Sequence, residues 1–331
     1  MKLATLNDGS RDGQLAVVSR DLYTAHYATG IAGHLQQALD DWNFMAPQLQ
    51  DLYDTLNHGK ARHAFPLDPR QCMAPLPRAY LLAVADPSAG LASEGRAIPL
   101  SAKLRLSFAD ELLGACRPMY CACAAQQADF EAGLSVISGD LPHGANPEQA
   151  LEGVRLLMLS CQQQLRALQA RPEQRLMSRP QTAFSPVAVT PDELVFGGEG
   201  TWAGGRLALT LNCTLNGRKL GLCDASQGMP LHFGQLMAAL CQTRRLRAGA
   251  IICSGEIRNQ DSSRGSFSLA SRRAIEVSQG GFAKTPWLGQ DDIVHIEIKG
   301  RDGQTVFGAI ESELRLGDTG DPLRGQPQEK G

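Results

Sequence analysis

Apolar and polar residues alternate from the first positions of the chain. Lys2-Leu3-Ala4-Thr5-Leu6 and Gln14-Leu15-Ala16-Val17-Val18 flank a turn at Asn7-Asp8-Gly9, and Ser19-Arg20-Asp21 marks a second turn. Period-two alternation bounded by such residues predicts a β-hairpin. The period then lengthens. Leu35, Leu39, Trp42, Met45, Leu49, Leu52 and Leu56 recur at helical spacing, which predicts a helix over 33–57 with a single apolar stripe. The pattern stops at Phe65-Pro66-Leu67-Asp68-Pro69, where proline removes backbone donors and fixes φ. Residues 1–74 therefore read as a small α+β domain.

A larger domain follows over 75–317. Its C-terminal part predicts strands at Arg206–Leu215, Ile293–Lys299 and Thr305–Leu316, separated by glycine turns such as Asn216-Gly217 and Asp302-Gly303. Phe233–Gln242 predicts a helix. Asn146-Pro147-Glu148 predicts a helix start, with a capping side chain ahead of proline at the first helical position. Residues 81–128 are rich in Ala, Leu, Ser and Cys and carry too few turn or strand signals for any assignment. Residues 318–331 are Gly, Pro, Gln and charge, and read as a flexible tail.

Composition narrows the function classes. The chain has 331 residues, 43% hydrophobic and 20% charged, with a formal net charge of −2 and a pI of about 6.4. Near-neutral charge removes the electrostatic footprint of a nucleic-acid binder. No apolar run approaches the roughly 18 residues that span a bilayer. The N-terminus turns polar after Leu6, so it has no apolar core of a signal peptide, and the expectation is a cytoplasmic protein with neither nucleic acid nor membrane as partner. Nine cysteines, an odd number, suit buried reduced thiols. Cys116, Cys121 and Cys123 cluster like soft metal ligands, yet no second pair follows to complete a structural zinc site.

The densest candidate chemistry is Asp129-Phe130-Glu131-Ala132-Gly133. It resembles the Asp-Phe-Glu-Ala-Glu signature of the fumarylacetoacetate hydrolase family, in which two glutamates one residue apart hold a magnesium ion. The resemblance extends to Thr182-Ala183-Phe184-Ser185-Pro186-Val187-Ala188-Val189-Thr190-Pro191-Asp192-Glu193-Leu194, to His232-Phe233-Gly234-Gln235-Leu236, and to Ser254-Gly255-Glu256-Ile257-Arg258-Asn259 followed by Ser263-Arg264-Gly265. It covers most of the chain outside about 81–128. It implies an α+β fold with a mixed β-roll main domain and a small N-terminal α+β domain, a homodimer, and magnesium-dependent hydrolysis or decarboxylation of 1,3-dicarbonyl acids.

Position by position, the resemblance also marks departures. The second glutamate is Gly133, and the aspartate of the pattern Leu-Met-Leu-x-Asn-Asp falls on Gln162. The lysine before the Pro-x-Thr-Ala-Phe block is Arg179, the threonine after Ser-Gly is Glu256, and a later acid falls on Ser271. The histidine-containing lid has no counterpart, because no histidine occurs between His63 and His143. Asp86 matches the remaining aspartate ligand only with a two-residue slide. Two lost carboxylates leave too little negative charge to hold magnesium against its hydration, so the expectation is no metal and no cofactor. Restoring Gly133→Glu with Gln162→Asp is expected to raise magnesium affinity.

The remaining residues suggest an alternative chemistry. Glu131 and Glu256 are candidate acid/base groups. Arg166 and Arg179 are candidate carboxylate contacts, with Ser254 as a further substrate contact. The bland alternatives are that Arg179 pairs with Glu256 on a rim and that Glu131 is satisfied by Arg166. Cys161 reads as an inert buried thiol, and His232 as a residue that orients the backbone of its helix. Together these residues suggest a divergent enzyme acting without magnesium on a small dicarbonyl or β-keto acid, or else a catalytically inactive paralogue that binds a metabolite or partner protein.

Overall fold

The computed structural model describes residues 1–86, 104–196, 199–259 and 261–317. The predicted hairpin is present as Lys2–Leu6 against Gln14–Val18, with Leu3 opposite Val17 and Thr5 opposite Leu15. It does not stay within its own unit. Lys2 and Leu3 pair with Val189 and Ala188, so the N-terminal strands extend the sheet of the larger domain. That sheet runs, edge to edge, Phe65–Pro66, Thr24–Tyr27, Gln14–Val18, Lys2–Leu6, Ala188–Val189, Val154–Leu165, Ala128–Ser138, Ala250–Cys253, Leu81–Ala85 and Leu104–Ser107. Thr182–Phe184 also pairs with Val154–Leu165, and Leu112–Leu113 pairs with Thr182–Phe184 in parallel.

A second sheet orders Arg218–Asp224, Thr210–Leu215, Ile293–Ile298, Ile310–Leu316 and Met119–Cys121. The fold is thus α+β with mixed sheets. Asn216 (φ 50°) and Gly217 (φ 73°) form the predicted tight turn between the first two of these strands, both in the left-handed region that such a turn requires. The predicted strands at Arg206–Leu215 and Thr305–Leu316 are shorter in the structure. Arg206–Leu207 pairs with Trp202–Ala203 instead, and Ile310–Leu316 begins after a loop. Residues 81–128, unassigned from sequence, contribute four short strands; 87–103 lie outside the described residues.

The helical stretch over 33–57 is two helices, Leu35–Asp40 and Trp42–Asn57, because Asp41 leaves helical backbone at φ −132° and ψ 53°. The apolar stripe still faces inward. Leu35, Leu39, Leu49 and Leu56 are buried against Leu3, Leu15, Val17, Ile137, Leu156 and Met158 on one face of the large sheet. Phe130, Ala132, Leu134 and Val136 project from the opposite face and pack with Leu211, Ile296 and Leu314 of the second sheet and with the helix Phe233–Cys241. The start at Asn146 is a complete capping box, with Asn146 and Gln149 exchanging side-chain-to-backbone bonds. Among the described residues no helix is long and apolar enough to cross a membrane.

Leu49 has no exposed surface and anchors the long N-terminal helix. Leu49→Ala should destabilise the protein by about 2–5 kcal/mol, the range for truncating a buried leucine, as a lower urea midpoint with an unchanged slope.

Candidate active site

The strands Ala128–Ser138 and Val154–Leu165 run antiparallel with Asp129 opposite Gln164, Glu131 opposite Gln162 and Gly133 opposite Ser160. Alternation places these positions on one face and Phe130, Ala132 and Leu134 on the other, in the core. The polar residues of the first face form the site.

Asp129 has no exposed surface and needs partners to remain charged. Its Oδ1 accepts from the N–H groups of Phe130 and Leu269, each at 2.7 Å; its Oδ2 accepts from Ala270 N–H at 3.0 Å and Arg166 Nε at 2.8 Å. Leu269 and Ala270 open the helix Leu269–Gly280, so Asp129 takes up free amides at that helix's positive end. Burial pushes its pKa up, while Arg166 and the amides oppose this. With donors on both oxygens and no acceptor for a carboxyl proton, the geometry holds the ionised form.

Arg166 also bridges to Glu131. Its Nη2 lies 2.8 Å from Asp129 Oδ2 and 3.3 Å from Glu131 Oε1, and its Nη1 donates to Gln169 at 2.8 Å. The second oxygen of Glu131, Oε2, is buried with no hydrogen-bond partner among the described residues. Gln162 donates to Ser107 Oγ at 3.3 Å and accepts from Gln164 at 3.1 Å.

Arg179 follows the short helical turn Pro172–Ser178 and is only 8% exposed. Its Nε and Nη2 have no hydrogen-bond partner among the described residues. Burial, and next the charge of Arg105, draw its pKa down to about 10, opposed by Glu131. Arg105, on the strand Leu104–Ser107, pairs with Asp86 at 2.9 Å, and its buried Nε and Nη2 likewise have no partner among the described residues. Sequence reading missed Arg105 because its whole segment went unassigned. The alternation Leu104-Arg105-Leu106-Ser107 was the available signal.

Glu256 is held away from Arg179. Its Oε1 accepts from Ser268 Oγ at 2.8 Å, and its Oε2 accepts from Ser271 Oγ and Arg258 Nε, both at 2.9 Å. The expected alternative pairing of Arg179 with Glu256 is thus replaced by Arg258 with Glu256. The resemblance assigned a hydroxyl to position 256 and an acid to 271; this chain carries the acid at 256 and the hydroxyl at 271, in direct contact. Arg166, Glu256, Arg258, Gly265 and Ser271 are among the residues around a cleft of about 320 Å³. Arg179 is not in its wall, while Arg166 both lines this cleft and contacts Glu131.

A divalent cation does not fit these residues. A Cβ on Gly133 would lie 2.2 Å from Gly255 O and 2.5 Å from Ser254 Oγ. The 254–257 segment packs directly on the bare strand, with Ser254 N–H donating to Leu134 O at 2.8 Å and Ile257 N–H to Ala132 O at 3.1 Å. Ser254 Oγ is itself engaged, accepting from Leu134 N–H at 3.0 Å and donating to Gly255 O at 2.8 Å. A second glutamate has no room here, position 162 is a neutral amide, and a guanidinium already contacts Glu131. Among the described residues no group of three or more His, Cys, Asp or Glu could hold a metal ion. The expectation that Gly133→Glu would restore magnesium binding is corrected by this packing.

The remaining candidates lie elsewhere. Cys161 is opposite Ala132 on the core face, and burial pushes its thiol pKa up. Cys121 donates to Gln126 and Cys123 is exposed, so the cysteine cluster does not converge. His143 is exposed, His295 lies near Glu297, and His232 caps its helix through Gln235 as expected.

Comparison with known proteins places the chain. Residues 82–315 match the family model for the fumarylacetoacetate (FAA) hydrolase C-terminal domain, and residues 1–78 that for fumarylacetoacetase N-terminal domain 2. The chain belongs to the fumarylacetoacetate hydrolase family. No curated protein sequence matches it. Its fold is similar to that of maleylpyruvate hydrolase from Sphingobium sp. SYK-6, at 14% identity and TM-score 0.66, over 96% of this chain and 100% of that one. A putative HpcE protein from Mycobacterium smegmatis gives 18% and 0.65 over 96% and 100%. The fumarylacetoacetate hydrolase from psychrophilic Exiguobacterium antarcticum gives 18% and 0.63 over 96% and 99%. At these identities the likeness is one of fold.

Arg166→Ala would leave Asp129 and Glu131 buried without their cation. It should cost about 3–5 kcal/mol, as for breaking a buried ion pair from one side. Chemical denaturation reads this; a loss below about 0.5 kcal/mol would place Arg166 on a solvated rim instead.

Proposed function

We propose that the protein is a divergent hydrolase or lyase of this family that acts without magnesium on a small dicarbonyl or β-keto acid. The observation that supports it best is a pair of buried groups left unmatched among the described residues. Among them Glu131 Oε2 is an acceptor without a donor, and Arg179 offers donors without an acceptor. Each unsatisfied buried polar group costs about 1–3 kcal/mol. A ligand presenting both a negative oxygen and a transferable proton would offset these costs.

Glu131 is the proton acceptor in this reading. Water adds to the substrate carbonyl as its proton passes to Glu131 Oε2. The carbon–carbon bond then breaks with its electron pair in an enolate, whose oxygen meets the N–H groups of Arg179, and Glu131 returns the proton to carbon. Arg166 holds the other oxygen of Glu131 and so fixes the side chain's orientation. Glu256, already bonded to two serines and Arg258, lines the cleft rather than moving protons. Structurally similar proteins named as a maleylpyruvate hydrolase and a 2-hydroxyhepta-2,4-diene-1,7-dioate isomerase support organic-acid chemistry. The maleylpyruvate hydrolase is described in complex with manganese(II) and pyruvate, whereas the packing on Gly133 and the neutral amide of Gln162 support a site without a metal in this chain. The family resemblance supports a homodimer, and the free thiols suit a cytoplasmic setting.

A second reading has its own support. Asp129, Arg166 and Glu256 are all engaged in bonds that tie segments of the fold together, as a catalytically inactive, metabolite-binding paralogue would retain.

Turnover of a panel of 1,3-dicarbonyl and β-keto acids in the presence of a chelator separates the two. Glu131→Gln should lower kcat by about 10²–10⁴-fold, the usual contribution of a general base, while leaving acid binding measurable. Binding without turnover across the panel supports the inactive paralogue. Turnover only after manganese or magnesium is added would defeat the metal-independent reading.

A further inference from the structure

We infer that the cavity between the first strand and the 300–306 turn is a separate ligand site, for a small zwitterion whose carboxylate meets Lys2 and Thr305 and whose ammonium faces Asp302. The cavity measures about 760 Å³ and shares no wall residue with the cleft beside Glu256 among the described residues. That volume is within the range of small-molecule sites. Lys2, on the strand Lys2–Leu6, lines it and is only 4% exposed. A lysine ammonium offers three N–H donors. Two are used, donating to Arg20 O at 2.8 Å and to Val306 O at 3.0 Å. The third has no acceptor among the described residues, and Lys2 forms no salt bridge there. Glu193 is the acid whose charge acts most on Lys2, but its carboxylate is engaged by Arg20 at 3.0 Å and by the Tyr53 hydroxyl. Burial draws the Lys2 pKa down to about 8 against the opposing pull of Glu193.

A second unfilled group lies beside the first. Thr305 directly precedes the Val306 carbonyl that Lys2 reaches, and both residues line the cavity. Thr305 Oγ1 is buried with no hydrogen-bond partner among the described residues. A carboxylate has two acceptor oxygens, enough to take one proton from the ammonium and one from the hydroxyl. The outer wall has the opposite character. Asp302 belongs to the same turn and is exposed; its Oδ1 accepts from Gln304 N–H at 3.0 Å, and it forms no salt bridge among the described residues. Asp192 is also exposed, with the N-terminal ammonium 3.7 Å away. Arg301, on the same wall, is itself engaged. A simple anion would satisfy Lys2 and Thr305 but would meet the field of both carboxylates. A ligand that carries its own cation is complementary to the inner donors and the outer acids together.

The probes are glycine and 4-aminobutyrate, which separate the two charges by a short and a longer chain, each beside its counterpart without the ammonium, acetate or butyrate. All are titrated by ligand-observed NMR into the full chain at neutral pH. At least one zwitterion should bind saturably and more tightly than its counterpart. Lys2→Gln should weaken that zwitterion about tenfold or more, as for loss of a hydrogen bond to a charged group. Asp302→Asn should remove its advantage over the counterpart. Thr305→Val guards against a folding artefact: its hydroxyl has no partner to lose, so the variant should melt no lower than wild type and still bind the zwitterion several-fold more weakly. Glu131→Gln and Arg179→Gln should leave the affinity unchanged. The inference is overturned if neither zwitterion exceeds its counterpart, if Thr305→Val binds as wild type does, or if the affinity is lost with Glu131 or Arg179, which would move the binding to the Glu131 cluster.

Discussion

A buried carboxylate, that of Asp129, joins three segments that are remote in sequence. It sits on the central strand Ala128–Ser138, accepts from the first amides of the helix Leu269–Gly280, and pairs with Arg166 at the end of the neighbouring strand. An isolated charge in that position would be prohibitive, so the segments that satisfy it must come together wherever the strand is folded. Arg166 has a further role in the same contact, since the guanidinium that neutralises Asp129 also holds one oxygen of Glu131. The orientation of the candidate base thus follows from the interaction that docks the helix. The cleft beside Glu256 exists because that helix is held there.

The same close packing explains why a divalent cation does not fit the residues around Glu131. Gly133 lets the 254–257 segment lie directly on the strand, at a distance that no side chain at 133 would allow. Across Arg166 the acid has moved from the position of Ser271 to that of Glu256, where two hydroxyls and Arg258 compensate it. Arg179 forms no salt bridge among the described residues, and its pKa is drawn down by its burial and by the like charge of Arg105.

The thiols belong to the structural side of this division. All nine cysteines are free, and Cys161, Cys213 and Cys253 lie in the dry core with their pKa values raised by burial, which disfavours the reactive thiolate. They act as small apolar side chains in the layers on either side of the sheet.

Local pattern was enough to read the hairpin, the apolar stripe of the N-terminal helices, the capped starts at Asn146 and His232, and the turn at Asn216-Gly217, because each depends on residues within a few positions of one another. Family motifs were enough to mark Glu131, Gly133, Gln162, Arg179 and Glu256 as the positions of interest. Partnership was not legible. Nothing in the sequence shows that Arg258 rather than Arg179 answers Glu256, that Gly133 is filled by the backbone of Gly255, or that Arg105 pairs with Asp86. Those outcomes depend on which elements pack together across the sheet and on the cost of leaving a buried charge alone, and both are settled only when distant segments share one interior.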